Sequence, residues 1–170
     1  MRLALYLILL ATVCGCTSTY RPTNLTVPSA KLERGKSVVI ATPANGAYGN
    51  KEYAASGKMT ALAVRAAFAK FTNAVTVSTE CKDLNSLKGM GSSQFDYYVV
   101  PEILRWEDRA TEWSGLPDRI EILLSIYEGT SWKELASVSI AGKSKWATFG
   151  GDHPQDLLAE PLKKYVESLY

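Results

Sequence analysis

Ile120, Ile122, Leu124 and Ile126 alternate with Glu121, Leu123, Ser125 and Tyr127. A period of two places four branched apolar side chains on one face of an extended chain and a mixed set on the other. Residues 120–127 therefore read as a strand with one face buried and the other only partly so. Glu128-Gly129-Thr130-Ser131 then turns the chain into a second strand, Trp132 to Lys143. There Leu135, Ser137 and Ser139 alternate with Ala136, Val138 and Ile140. An antiparallel pair with one apolar face must be covered by something, and the rest of the chain supplies the cover.

Ser37 to Thr42 is β-branched and nearly continuously apolar, as in a strand buried on both faces. Residues 53–72 read as a helix, because Ala61, Val64, Phe68 and Phe71 share one face while Lys58, Arg65 and Lys70 lie off it. Ala74 to Ser78 is a second short strand, so strand, helix and strand imply a parallel crossover. Asp83 to Met90 fits a short helix capped by Asp83 and stopped by Gly89 and Gly91. Phe95 to Trp106 is another strand, and Pro101 inside it calls for an edge position or a bulge. From Asp152 onward, Leu158, Leu162, Tyr165, Val166 and Leu169 give the last helix its apolar stripe. Asp152 and Gln155 resemble a capping box there, and Pro154 also suits the first helical position after His153. The fold expected is α/β (α+β), a mixed sheet packed against helices in the order β-α-β-(α)-β-β-β-α.

The first sixteen residues, MRLALYLILLATVCGC, have a different task. Arg2 precedes an apolar run from Leu3 to Val13, too short for the ~20 apolar residues that cross a bilayer. The run ends in Val13-Cys14-Gly15-Cys16, which resembles the lipobox of bacterial lipoproteins. On that resemblance residues 1–15 are a cleaved signal peptide and the thiol of Cys16 carries the lipid. An ordinary secretory signal is the alternative. Thr17 stands where inner-membrane lipoproteins often carry aspartate, so the periplasmic face of the outer membrane is the expected address. One acyl chain holds a protein only marginally, and stable residence takes at least two signals. The fully processed cysteine of such lipoproteins carries three chains, which would suffice. Residues 16–35 contain Thr, Ser, Asn and two prolines without periodicity, and read as the lipidated cysteine with a flexible tether. Twenty such residues reach at most ~70 Å when stretched. Residues 36–170 are then a single domain.

Several function classes recede on composition. Without Arg2 the 19 basic residues become 18, against 17 acidic, and no basic stripe suggests nucleic acid. The loop from Pro43 to Asn50 joins a strand to a helix, as phosphate-binding turns do, yet neither glycine fingerprint for nucleotides is present. Cys81 would be the one thiol left after processing, with no disulfide framework; it reads as a small buried apolar residue. His153 is the only histidine, so two-histidine metal motifs are impossible. Asp152-His153 remains a weak candidate for ligand binding or proton transfer, although acids at a helix start are what the macrodipole favours. No metal site, cofactor or catalytic set is expected. Glu107/Asp108 and Glu160/Glu167 read as surface carboxylates, and Glu102 as solvent-facing beside the proline.

The connection Glu107 to Asp118 is longer than a hairpin needs, and long loops often carry function. Trp106, Trp113 and Leu116 are its candidate partner-binding anchors, of a kind enriched at interfaces. The alternative is that both tryptophans fold back over the sheet. Trp146 and Phe149 have the same two readings.

The segment from Asp118 to Val166, above all Lys145 to Gly151 (KWATFGG), resembles a family of small proteobacterial lipoproteins of uncharacterised function. That resemblance implies a lipid-anchored periplasmic α/β domain without assigned catalytic residues. The element order is more loosely similar to the amino-terminal domain of the Tol-system propeller protein, to curli-type secretion lipoproteins and to the lipoproteins that activate penicillin-binding proteins. Architecture of that kind suggests docking onto envelope machinery but cannot carry function. The chain is thus expected to act as a non-catalytic adaptor or assembly factor for envelope proteins. A subunit of an oligomeric secretion or ring complex, and a ligand binder or enzyme at Asp152-His153, are the alternatives.

Overall fold

The computed structural model describes residues 18–91, 94–109, 116–145 and 153–170. In chain order these hold β1 (Thr19–Thr26), β2 (Val38–Ala41), β3 (Ala47–Tyr48), β4 (Lys51–Glu52), α1 (Ser56–Phe68), β5 (Val75–Ser78) and α2 (Leu84–Gly89). Then follow β6 (Tyr97–Glu107), β7 (Arg119–Glu128), β8 (Glu134–Lys143), a 3-10 turn (Pro154–Leu157) and α3 (Ala159–Leu169). A mixed six-stranded sheet runs β1-β8-β7-β6-β2-β5, and β3–β4 is a separate small hairpin. The parallel crossover expected around the first helix is present, with Val38 to Ala41 in register with Val75 to Ser78. Phe71 lies just beyond α1, which is shorter than its periodicity suggested.

One face of the sheet carries the main core. Val38, Ile40 and Val99, with Ile120, Ile122, Leu124 and Ile126 of β7 and Ala136, Val138 and Ile140, pack with Ala61, Val64 and Phe68 of α1 and Leu162, Val166 and Leu169 of α3. Among the described residues the other face is covered at one end, where Val39, Ala41 and Tyr98 meet Leu87 of α2 and Cys81. Cys81 is buried, its thiol 3.4 Å from the Ser86 carbonyl. Asp83 caps α2 by accepting from the Ser86 backbone N–H at 2.8 Å, which holds its carboxyl below the usual carboxylate range. Asp96 is likewise held low, chiefly by the Ser37 hydroxyl and backbone N–H.

Two expectations change. Residues 19–26 are not a tether: β1 pairs antiparallel with β8 from Thr19↔Lys143 to Thr26↔Ser137. Its hydrogen bonds to β8 need no apolar alternation, and Pro22 is tolerable on an edge strand. Second, Pro101 sits in an inner strand. The Tyr97 N–H donates to the Ser37 carbonyl, so the odd-numbered N–H groups of β6 point toward β2. Pairing with β2 ends at Val99, and the donor Pro101 lacks would have pointed past the end of that ladder. The bulge lies further on, between Ile103 and Arg105. The loop 43–50, which lacks the nucleotide fingerprints, plugs the start of α1, as the Gly57 N–H donates to the Asn45 side chain at 3.2 Å. A phosphate has no room there, because even a Cβ on Gly57 would lie 2.2 Å from the Pro43 carbonyl oxygen.

Candidate functional site

The β6 bulge decides what the far end of the sheet presents. Before it, Tyr98, Val100 and Glu102 face away from the main core; one extra residue swaps the faces, since side chains alternate. Trp106 therefore falls opposite Ile120 on the core side and is 2% exposed. That corrects its assignment as a partner-binding anchor. Glu102 is exposed, as expected.

By the same swap Glu107 lies on the open face opposite Arg119, yet it is buried at 3% exposure. It is no solvated surface carboxylate. A buried carboxylate needs a charged partner, and Arg109 Nη2 reaches it at 2.6 Å, with Arg105 Nε at 3.6 Å. Arg109 also donates to the Tyr48 hydroxyl at 3.1 Å, tying the β3–β4 hairpin to the end of β6. Nine residues on, buried Asp118 accepts from the Arg109 backbone N–H at 2.6 Å. Asp118 and Ser144 are joined twice, by Asp118 N–H to Ser144 Oγ at 2.9 Å and Ser144 N–H to the Asp118 carbonyl at 3.0 Å. These bonds clamp together the two stems of the 107–118 connection and the exit of β8. Sequence reasoning missed the clamp because its members lie up to 26 residues apart. Asp118→Ala should cost about 2 kcal/mol by leaving the Arg109 N–H without this acceptor. A urea midpoint shifted by less than about 0.5 kcal/mol would show the clamp to be incidental.

The other expected site residues are dispersed. Leu116 is 50% exposed on the stem. His153 is exposed, and its Nδ1 lies 3.9 Å from Asp108 Oδ1. Its backbone N–H donates to the Asp156 carboxylate at 3.0 Å, so the cap sits one residue later than the expected Asp152. Pro154 takes the first position of the 3-10 turn. Cys16, Trp113, Trp146, Phe149 and Asp152 lie outside the described residues. Among the described residues no three His, Cys, Asp or Glu side chains come together as a metal site. No helix there is long and apolar enough to cross a membrane. Glu160 and Glu167 are exposed and paired with Lys164 at 2.7 Å and Lys70 at 3.2 Å.

The open sheet face has its own chemistry. Arg21 and Thr23 of β1, Ser137, Ser139 and Ala141 of β8, and Glu121 and Ser125 of β7 lie on it in register. Such a sheet, covered by α1 and α3 on one face and, among the described residues, partly open and polar on the other, with β1 at its edge, defines a mixed α/β domain. The chain belongs to the family described as a domain of unknown function (DUF4823), which it matches over residues 30–169. A family of unknown function is compatible with the uncharacterised family expected from the sequence, and β1 lies before the matched region. No curated protein matches the chain.

Two solved folds are similar. PelC from Paraburkholderia phytofirmans, a dodecamer in its crystals, superposes with a TM-score of 0.62 at 15% identity, covering 86% of this chain and 96% of PelC. Protein XCC0632 from Xanthomonas campestris, a DUF330 protein, gives a TM-score of 0.50 at 14% identity, covering 88% and 93%. At such identities the likeness establishes the fold.

Proposed function

We propose that this protein is a non-catalytic subunit of a cell-envelope assembly. It is held to the periplasmic face of the outer membrane through acyl chains on Cys16, and it works by binding envelope proteins, first among them further copies of itself. The leader, Cys16 and Thr17 support the address. The observation that carries the binding role is the outer edge of β1. This eight-residue strand closes the sheet with no further strand on its far side among the described residues, and it runs into exposed Leu25 (59%) and Val27 (72%). Edge strands are templates for another chain unless they are blunted; Pro22 and the bulge between Asn24 and Thr26 interrupt this one, so the exposed Leu25–Val27 end carries the contact. Beside it lies a cleft of about 330 Å³ lined by Asn24, Val27, Pro28, Lys31, Tyr165 and Leu169. The Tyr165 hydroxyl is buried there without a hydrogen-bond partner among the described residues, and burial pushes its pKa up to about 12. An orphaned hydroxyl beside an open strand edge suits an incoming backbone.

The similarity to PelC, which forms a dodecamer, favours self-association over a one-to-one adaptor. Mass photometry of the purified full-length protein should show one discrete oligomer. Leu25→Lys with Val27→Lys should shift it to monomer without lowering the melting temperature, since both side chains are exposed. A wild-type protein that stays monomeric across the micromolar range would end the self-association reading.

A further inference from the structure

On the open face, where β1 begins, the sheet forms a groove of about 340 Å³ lined by Thr19, Arg21, Arg105, Arg119, Glu121 and Lys143. Four cations and one carboxylate thus line it, and of the four only Arg105 has an ion pair among the described residues, to Glu107 at 3.6 Å. Arg119 stands directly opposite Lys143 in the β7–β8 ladder, and like charges in that relation destabilise a sheet. Local acids do not relieve them. Glu107, in register with Arg119 on the other side, gives its carboxylate to Arg109 at 2.6 Å. Glu121 accepts from the Ser139 hydroxyl at 3.3 Å. Among the described residues no carboxylate lies within ion-pair distance of Arg21, Arg119 or Lys143. The Arg119 Nε is buried and has no hydrogen-bond partner among the described residues. Unpaired guanidinium donors beside a repelling ammonium leave a site short of one anion.

We infer that this groove binds the phosphate groups of anionic phospholipids and so fixes the open face of the sheet against the membrane. The inference rests on the reading of Cys16 as the anchor and adds to it. Cys16 precedes Thr19 by three residues, which span at most about 11 Å. The near end of the groove is thereby held within about one and a half screening lengths of the anchoring surface at physiological salt, where the length is about 8 Å. Guanidinium forks match phosphate oxygens in pairs, which a lone ammonium cannot do. Docked this way, the domain turns α1 and α3 away from the lipid and leaves the Leu25–Val27 end of β1 free for a neighbouring copy.

The test uses purified full-length protein in vesicles of phosphatidylcholine, with or without phosphatidylglycerol. Acetylation of Lys143 is followed by mass spectrometry, with Lys58 on α1, beyond the opposite face, as internal reference. Lys143 should react more slowly than Lys58 only when phosphatidylglycerol is present, and high salt should abolish the difference. The double variant R21Q/R119Q keeps the reporter lysine. At about fivefold per cation near an anionic surface, it should lose on the order of 20-fold in protection. Its melting temperature should equal or exceed that of the wild type, since one repulsion is gone, which separates lost docking from lost folding.

Equal Lys143 reactivity in both vesicle types, or protection that survives R21Q/R119Q, overturns the inference. So does equal protection by dissolved inorganic phosphate or polyglutamate over neutral vesicles, because the occupant is then a soluble anion. The anchor is read separately in the same sample, from the acyl mass on the Cys16 peptide. If Cys16 proves unmodified, the anchor reading fails. Flotation with phosphatidylglycerol vesicles alone, lost in R21Q/R119Q, would then still uphold the groove.

Discussion

Gly129→Ala should lower the unfolding free energy by about 3 kcal/mol, one of the largest effects expected from adding a single methyl group to this chain. Gly129 lies in the turn between β7 and β8, where a glycine suggests a left-handed backbone. The left-handed position falls instead on Trp132, at φ 58°. Gly129 is needed for space: a Cβ there would lie 1.9 Å from the Phe95 carbonyl oxygen and 3.1 Å from that of Asp96. The chain cannot back away cheaply, because the Gly129 N–H donates to the Asp96 carbonyl at 2.8 Å. Trp132, held by the same turn, packs on Tyr98 with ring centroids 4.3 Å apart. Relieving the clash therefore costs a hydrogen bond, an aromatic contact or both. Gly89→Ala is the matched control, since a Cβ there meets nothing within 4 Å and helix propensity favours the change. Urea unfolding with an unchanged m-value measures both. A loss below about 0.5 kcal/mol for Gly129→Ala would mean that the turn can move aside, and the close approach would carry no weight.

What could be read in the sequence was whatever depends on burying an apolar face. Ile120 to Ile126, Val38 to Ala41 and the Val64–Phe68 stripe announced themselves because the core selects them by period. The features that position the surfaces depend instead on hydrogen-bond register, which leaves no compositional trace. The extra residue near Leu104 is one such feature, and it exchanged the fates of Trp106 and Glu107. A tryptophan read either as a partner anchor or as folding back over the sheet went into the core, and a glutamate expected in solvent was buried beside Arg109. The Asp118–Ser144 clamp and the Arg119–Lys143 opposition are equally invisible until β6, β7 and β8 are aligned. Trp113 and Asp152 lie outside the described residues, so the sequence expectations for them stand as made.

Deleting residues 19–26 discriminates most sharply between a tether and a strand. As a tether, Thr19–Thr26 could be removed with no change in stability and only a shorter reach. As β1, it pairs with β8 at seven positions, places Tyr20 against the main core and lets Thr26 Oγ1 donate to Glu134 Oε1 at 2.6 Å. Burial raises the pKa of the Glu134 carboxyl, but hydrogen bonds from Ser137, Thr26 and Tyr127 outweigh it and hold the value below the usual range. That contribution is present above the unfolded-state pKa and is lost as pH falls through the lower folded value. With each ladder hydrogen bond worth about 0.5–1.5 kcal/mol net, the deletion should cost about 4 kcal/mol and expose β8 as a new edge. Urea unfolding and amide exchange of β8 report the two consequences separately, and an unchanged midpoint would restore the tether. With β1 in the sheet, the link from Cys16 to the folded body shrinks from about 70 Å of reach to about 11 Å. If Cys16 is the anchor, as proposed, a domain held that closely would meet its partners in the plane of the membrane, where the strand edge of one copy would find the next.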